Sequence, residues 1–236
     1  MNLAEIFAQL GDGMARTLLI FALTLILSLP LGLAVAFGRM SRWAPLNALR
    51  KSKSALLRKL SGFRPIRLLV QAFISVLRGT PLMLQLMVVY YGPFYLFHIK
   101  ISLAYQFYAV IIAFAVNYAA YFAEIYRSGI ESMPIGQYEA AKVLGYSKNQ
   151  TFFRIILPQV VKRILPSITN EVITLVKDTS LAFVIAYAEV FTVVKRLVAK
   201  EANVMPYIAA AIFYYIFNFI VAWAMGKLEK KMSYYN

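Results

Sequence analysis

From Thr17 to Phe37 the chain runs 21 residues without a charged side chain. At about 1.5 Å per residue, a helix of that length crosses a hydrocarbon core of roughly 30 Å. Backbone N–H and C=O groups in lipid must be paired within the segment, so an isolated span has to be helical. Pro30 and Gly32 lie inside it, which membrane helices tolerate better than soluble ones. A secretory signal is the rival reading, but Glu5 and Asp12 precede the stretch and no basic segment does, so a span is expected.

The rest of the chain reads the same way. Sixty-one per cent of its residues are apolar and 15% charged, against about half and about a quarter in an ordinary soluble domain. Further spans are expected over residues 81–97, 103–123 and 206–225. Residues 66–77 are expected to form an interfacial or partly inserted helix, interrupted by Arg78-Gly79-Thr80-Pro81. Residues 164–194 are too long for one simple span, about 46 Å as a straight helix, and carry Glu171, Lys177, Asp178 and Glu189. A helix broken near Asp178-Thr179-Ser180 is expected, with Asp178 or Thr179 capping the second half. The fold class is an all-α integral membrane protein of about five transmembrane helices, one domain over residues 1–236.

Charge placement gives the orientation and excludes some functions. The net charge is +15, a value that nucleic-acid binders share, but here the basic residues flank apolar spans. Residues 38–67 hold nine Lys or Arg and no acid. Within them, residues 44–60 read either as a basic helix lying on lipid headgroups or as a solvated linker. With five spans, 18 basic residues fall on one side and 5 on the other. This predicts the N-terminus outside and the C-terminus in the cytosol. There is no Cys and one His, His98, so thiol chemistry and a histidine metal site are not expected. No Gly-rich phosphate loop ending in Lys-Ser or Lys-Thr occurs, so the chain is not itself an ATPase.

Between the third and fourth spans, residues 128–160 read as a folded helix–turn–helix. Ser132 is a candidate N-cap, and Pro134 suits a first helical turn. Gly145 suits a left-handed helix end. Ser147 with Gln150 forms a capping-box pattern, and Leu157-Pro158 is expected to close the second helix. Ala140 and Ala141 are small enough for a partner to approach the backbone.

Glu139-Ala140-Ala141, three residues, Gly145, nine residues and then Ile155-Ile156-Leu157-Pro158 resembles the EAA loop of permease subunits of ATP-binding cassette importers. Arg78-Gly79-Thr80-Pro81 with Gln85, Glu124-Ile125-Tyr126-Arg127, Gly136-Gln137 and Lys177-Asp178-Thr179-Ser180-Leu181 are similar to the polar amino acid branch of that family. The resemblance spans roughly residues 66–190. It implies a permease that moves an amino acid, pairs with a second copy or a paralogue, and receives substrate from an extracellular or periplasmic solute-binding protein. It also implies that ATP and Mg are handled by separate ATPase subunits docked on Pro134, Gly136, Glu139, Ala140, Ala141, Gly145, Leu157 and Pro158.

Individual residues carry two readings each. Glu139 either pairs with a basic residue of the partner ATPase or is simply solvated. Ionised Glu171 and Asp178 would each cost at least about 2.5 kcal/mol if they faced lipid. They therefore either line a pathway and meet an ammonium group, or pair structurally with Lys177 or another base. Gln85, Asn117, Thr179 and Ser180 are pathway candidates, although interhelical hydrogen bonding is the commoner use of such amides. Glu124 and Arg127 look like interface anchors. An ion-coupled secondary transporter, with Glu171 and Asp178 in a relay, is the alternative.

Overall fold

A computed structural model describes residues 3–47, 54 and 61–232, which form helices with no strand among them. Helix α1 (Leu3–Met40) contains the first span. After the basic loop come α2 (Pro65–Gly79), α3 (Leu82–Phe97) and α4 (Tyr105–Glu131). The docking segment holds α5 (Ile135–Val143), the single-turn α6 (Lys148–Gln150) and a π-helical turn, Thr151–Ile156. The chain continues through α7 (Leu157–Asp178), a 3₁₀ stretch Thr179–Ile185, α8 (Val190–Glu201) and α9 (Met205–Met232).

Helix α4 is the buried centre, with 67% of its most apolar stretch inside the protein, against 22% for α1 and for α9. Phe114, Tyr118 and Phe122 are among its fully enclosed side chains. Helix α1 packs through one stripe, its first residues against the start of α8 and the rest mainly against α4. Leu10, Gly13, Thr17, Ile20, Thr24, Ser28, Gly32 and Ala36 are all buried and recur every three or four residues, the spacing of one helix face. Most of them are small, so the backbones approach closely, the usual packing mode where lipid supplies no hydrophobic drive. A Cβ on Gly32 would sit 2.8 Å from Phe122 Cβ. The outer faces of α1 and α9 expose Ile26, Phe37, Tyr215 and Phe219.

Helices α1, α4 and α9 are long and apolar enough to cross a membrane; α2 and α3, bent by 109° at a short break, count as a fourth if taken together. Proline causes the bend, because the residue before it resists the helical region. Thr80 is accordingly extended, at φ −123° and ψ 149°. The carbonyls freed there find side-chain donors. The Thr80 hydroxyl donates to Val76 O at 2.8 Å, and Gln85 Nε2 to Leu77 O at 2.8 Å.

The segment 164–194 breaks where expected, at Asp178, but its second half is built differently. Neither Asp178 nor Thr179 caps a helix there. A 3₁₀ turn follows and ends at Ala186 in a left-handed conformation, φ 57°. The next cap is Glu189, whose carboxylate accepts from the backbone N–H of Phe191 and Thr192, both at 2.7 Å. A carboxylate at a helix N-terminus offsets the partial positive charge of unpaired N–H groups, and that outcompetes an earlier cap. Helix α8 then packs on Leu10 of α1 and Ala209 of α9. The expected basic helix over 44–60 lies largely outside the described residues.

Candidate functional site

The loop over residues 132–159, expected to dock a partner, is fixed by local caps and hydrogen bonds. Pro134, with φ −58° and ψ 135°, is the N-cap of α5. Ser132 instead ends α4, its hydroxyl returning to Gly129 O at 2.8 Å. Proline takes the cap position because an extended ψ suits the residue entering the first turn. At the other end Gly145 has φ +79°. Its N–H donates to Lys142 O at 3.0 Å, and the Tyr146 N–H to Ala141 O at 3.0 Å. That hydrogen-bond pair is the Schellman motif. The capping box closes in both directions, Ser147 N to Gln150 Oε1 at 2.8 Å and Gln150 N to Ser147 Oγ at 3.3 Å.

Leu157-Pro158 opens α7 instead of closing a helix. Proline lacks only an N–H that the first turn leaves unpaired. The preceding turn widens to a π-helix, with Leu157 N–H reaching back to Phe152 O. The loop is clamped to α7 by side chains. Gln137 and Gln159 exchange amide hydrogen bonds at 2.8 Å each, and Arg163 Nη1 donates to Ser132 O at 2.7 Å. Met133, Ile156, Val160 and Ile164 form a small core beneath.

The clamp leaves one face open. Ile135, Glu139 and Val143, spaced at i, i+4 and i+8, are exposed together with Gly136, Ala140 and Leu144. Ile135 is 74%, Val143 88% and Leu144 74% exposed. Ala141 is turned inward and 2% exposed, so only Ala140 of the alanine pair is open to a partner. A side chain at Gly136 would meet nothing within 4 Å.

The second site lies where α2, α4 and α7 meet. Asp178 accepts a 2.7 Å hydrogen bond from the Tyr118 hydroxyl. Glu171 has Arg78 and Asp178 as its charged neighbours. Arg78 lies over the Tyr121 ring, 5.2 Å from its centroid. Ion pairs among the described residues join Arg39, Glu124, Arg127 and Glu131, and separately Lys200 and Glu201. Neither Glu171 nor Asp178 is in one, so of the two alternatives the structural pair between Asp178 and Lys177 is not formed among the described residues.

Four of the residues expected near a pathway have structural occupations. The Thr179 hydroxyl donates to Val176 O and that of Ser180 to Lys177 O, both at 2.7 Å. These bonds satisfy carbonyls at the end of α7. Asn117 Nδ2 donates to Gln85 Oε1 at 2.9 Å, and both amides serve the α2–α3 break. Reading the sequence did not bring Tyr118 and Tyr121 into this cluster, and it noted Arg78 only as part of the Arg78-Gly79-Thr80-Pro81 motif. The signal for the tyrosines was their i, i+3 spacing on α4, which places both on one helix face.

A capped loop with an apolar outer face thus lies beside the long helices, and a polar cluster lies within them. The sequence matches the family described as "Binding-protein-dependent transport system inner membrane component" over residues 54–234. The chain belongs to that family. It is therefore a membrane-embedded permease subunit of a bacterial transport system, not an enzyme. The permease is 36% identical over 181 residues to the L-cystine transport system permease protein TcyB of Bacillus subtilis (strain 168), covering 76% of each chain. It is 35% identical over 223 residues to the arginine transport system permease protein ArtQ of the same organism, covering 94% of this chain and 91% of that one. Among solved structures, an amino acid ABC transporter with histidines superposes with a TM-score of 0.80 at 29% identity, covering 97% of this permease and 96% of that chain. The MetNI methionine ABC transporter, at 16% identity, shares the fold with a TM-score of 0.70 over 99% of this permease and 100% of that chain.

Proposed function

We propose that this permease subunit moves an amino acid and couples to separate ATPase subunits through Pro134–Pro158. The observation that carries the coupling is the exposed face Ile135–Glu139–Val143–Leu144 on a loop fixed at both ends. Apolar side chains this exposed on a capped helix suit burial under a partner, and Glu139 in their midst suits a basic residue on that partner. A loop braced at Gly145 and through Gln137–Gln159 transmits a push to α4 and α7 instead of absorbing it. ATP and Mg belong to the partner, and two permease subunits enclose the pathway. An external solute-binding protein delivers substrate. Five spans, with the N-terminus outside and the docking loop in the cytosol, complete the proposal.

Amino acids follow from the relatives' names and from the cluster's chemistry. Glu171 and Asp178 lack an ion-pair partner among the described residues and suit an ammonium group, while Arg78 beside them suits a carboxylate. The direct test of coupling is co-purification with a co-expressed ATPase encoded nearby. Wild type should retain it, and Val143→Asp with Leu144→Asp should lose it while melting at an unchanged temperature. Retention by the double variant would overturn the docking assignment.

A further inference from the structure

Just past the uncharged stretch of α1 lies a cavity of about 550 Å³ between the end of that helix, the start of α2 and the base of the docking loop. Its walls carry Arg39, Arg42, Arg64 and Arg67, facing Glu131 and Tyr138. The one acid is already engaged, since Glu131 pairs with Arg127. Arg39 is also engaged, donating to Gln71 at 3.1 Å and lying 3.6 Å from Glu124. Arg42, Arg64 and Arg67 have no hydrogen-bond or ion-pair partner among the described residues. Arg42 and Arg67 are exposed and Arg64 is partly buried, so three unmatched guanidiniums open to solvent around one cavity attract an anion. Their planar forks match the oxygens of a phosphate.

The cavity's position selects the source of that phosphate. Arg39 comes two residues after Phe37, the end of the uncharged stretch, which sets the cavity at headgroup depth. Trp43 beside it is 56% exposed, as an interfacial aromatic is. On α2, next to Arg64 and Arg67, Ile66, Leu68 and Leu69 are exposed, Leu69 by 73%. A basic cavity with an apolar flank fits an amphiphile better than a free anion. We propose that it binds the headgroup phosphate of an anionic phospholipid, with the acyl chains along the exposed side of α2. Because Ile135 and Tyr138 also line it, a bound lipid braces the root of the docking helix against the membrane.

The test uses the full-length permease in its complex, in phosphatidylcholine nanodiscs titrated with phosphatidylglycerol, with retained lipid measured by mass spectrometry. A guanidinium near a charged lipid surface contributes about fivefold, so Arg42→Gln, Arg64→Gln and Arg67→Gln together should weaken retention on the order of a hundredfold. A control losing the same charge elsewhere, Lys142→Gln with Lys148→Gln and Arg154→Gln, should retain lipid like wild type. Equal retention by the cavity variant, or equal loss in the control, would overturn the site. Inorganic phosphate in large excess should not displace the lipid; displacement would reassign the cavity to a soluble anion and overturn the lipid proposal. If the Gln variant fails to fold, the three arginines changed to Lys carry the test. An ammonium keeps the charge without the fork, so retention should fall, and wild-type retention would contradict the proposal.

Discussion

Asp178 is half-buried beside Tyr118 with no cation paired to it among the described residues, and that environment sets what its replacement does. An amide oxygen can still accept the 2.7 Å hydrogen bond from Tyr118, without the extra strength of a charged acceptor, so Asp178→Asn should lower the melting temperature in detergent less than loss of the bond does. Removing the charge should weaken amino acid uptake or change its preference. Unchanged uptake with a lowered melting temperature would assign Asp178 a structural role instead. Tyr118→Phe is the complement: losing a hydrogen bond to a charged group costs about 1.5–3 kcal/mol and should lower the melting temperature. At this scale the sequence was partly legible. Acids within an apolar stretch identify themselves by their cost in lipid, and Gly145 by its fit to a left-handed end. Hydroxyls and amides do not, because the same Thr179, Ser180, Gln85 or Asn117 serves a substrate or a broken helix equally well. Only the positions of the freed carbonyls decide between the two.

Among the elements, α1 and the docking loop make the strongest demands. The stripe from Leu10 to Ala36 works because Gly32 lets the α4 backbone close in. Gly32→Ala would place a methyl 2.8 Å from Phe122 Cβ, and overpacking of this kind costs about 1–3 kcal/mol, readable as a lower melting temperature. On the same stripe the Ser28 hydroxyl is buried with no hydrogen-bond partner among the described residues. Ser28→Ala should therefore be neutral or raise the melting temperature; a clear drop would mean the hydroxyl has a partner. In the loop, Gly145→Val puts a β-branched residue at φ +79°, a strained conformation. It should lower both uptake and substrate-stimulated ATP hydrolysis, as should Glu139→Lys. Normal transport by both variants would remove the coupling assignment. The loop's caps could be read from the residues because capping is local chemistry. The role of Leu157-Pro158 could not, since the wide π turn that accommodates the proline depends on how Phe152 and Ile156 pack on α7.

For the whole molecule, orientation rests on the count of basic residues by side. Asn149→Cys, on the docking loop, should be shielded from an impermeant thiol reagent in intact cells, and Ser102→Cys, in the loop before α4, should react. Labelling at position 149 from outside would sink the topology. The central claim is that ATP hydrolysis on a partner drives amino acid transport through this chain. The measurement that bears on it most directly is uptake into proteoliposomes containing the permease, its ATPase and its solute-binding protein. The account predicts uptake that requires ATP on the docking-loop side and persists when a protonophore and sodium-free buffer remove ion gradients. Uptake that continues without ATP and collapses with the protonophore would contradict it.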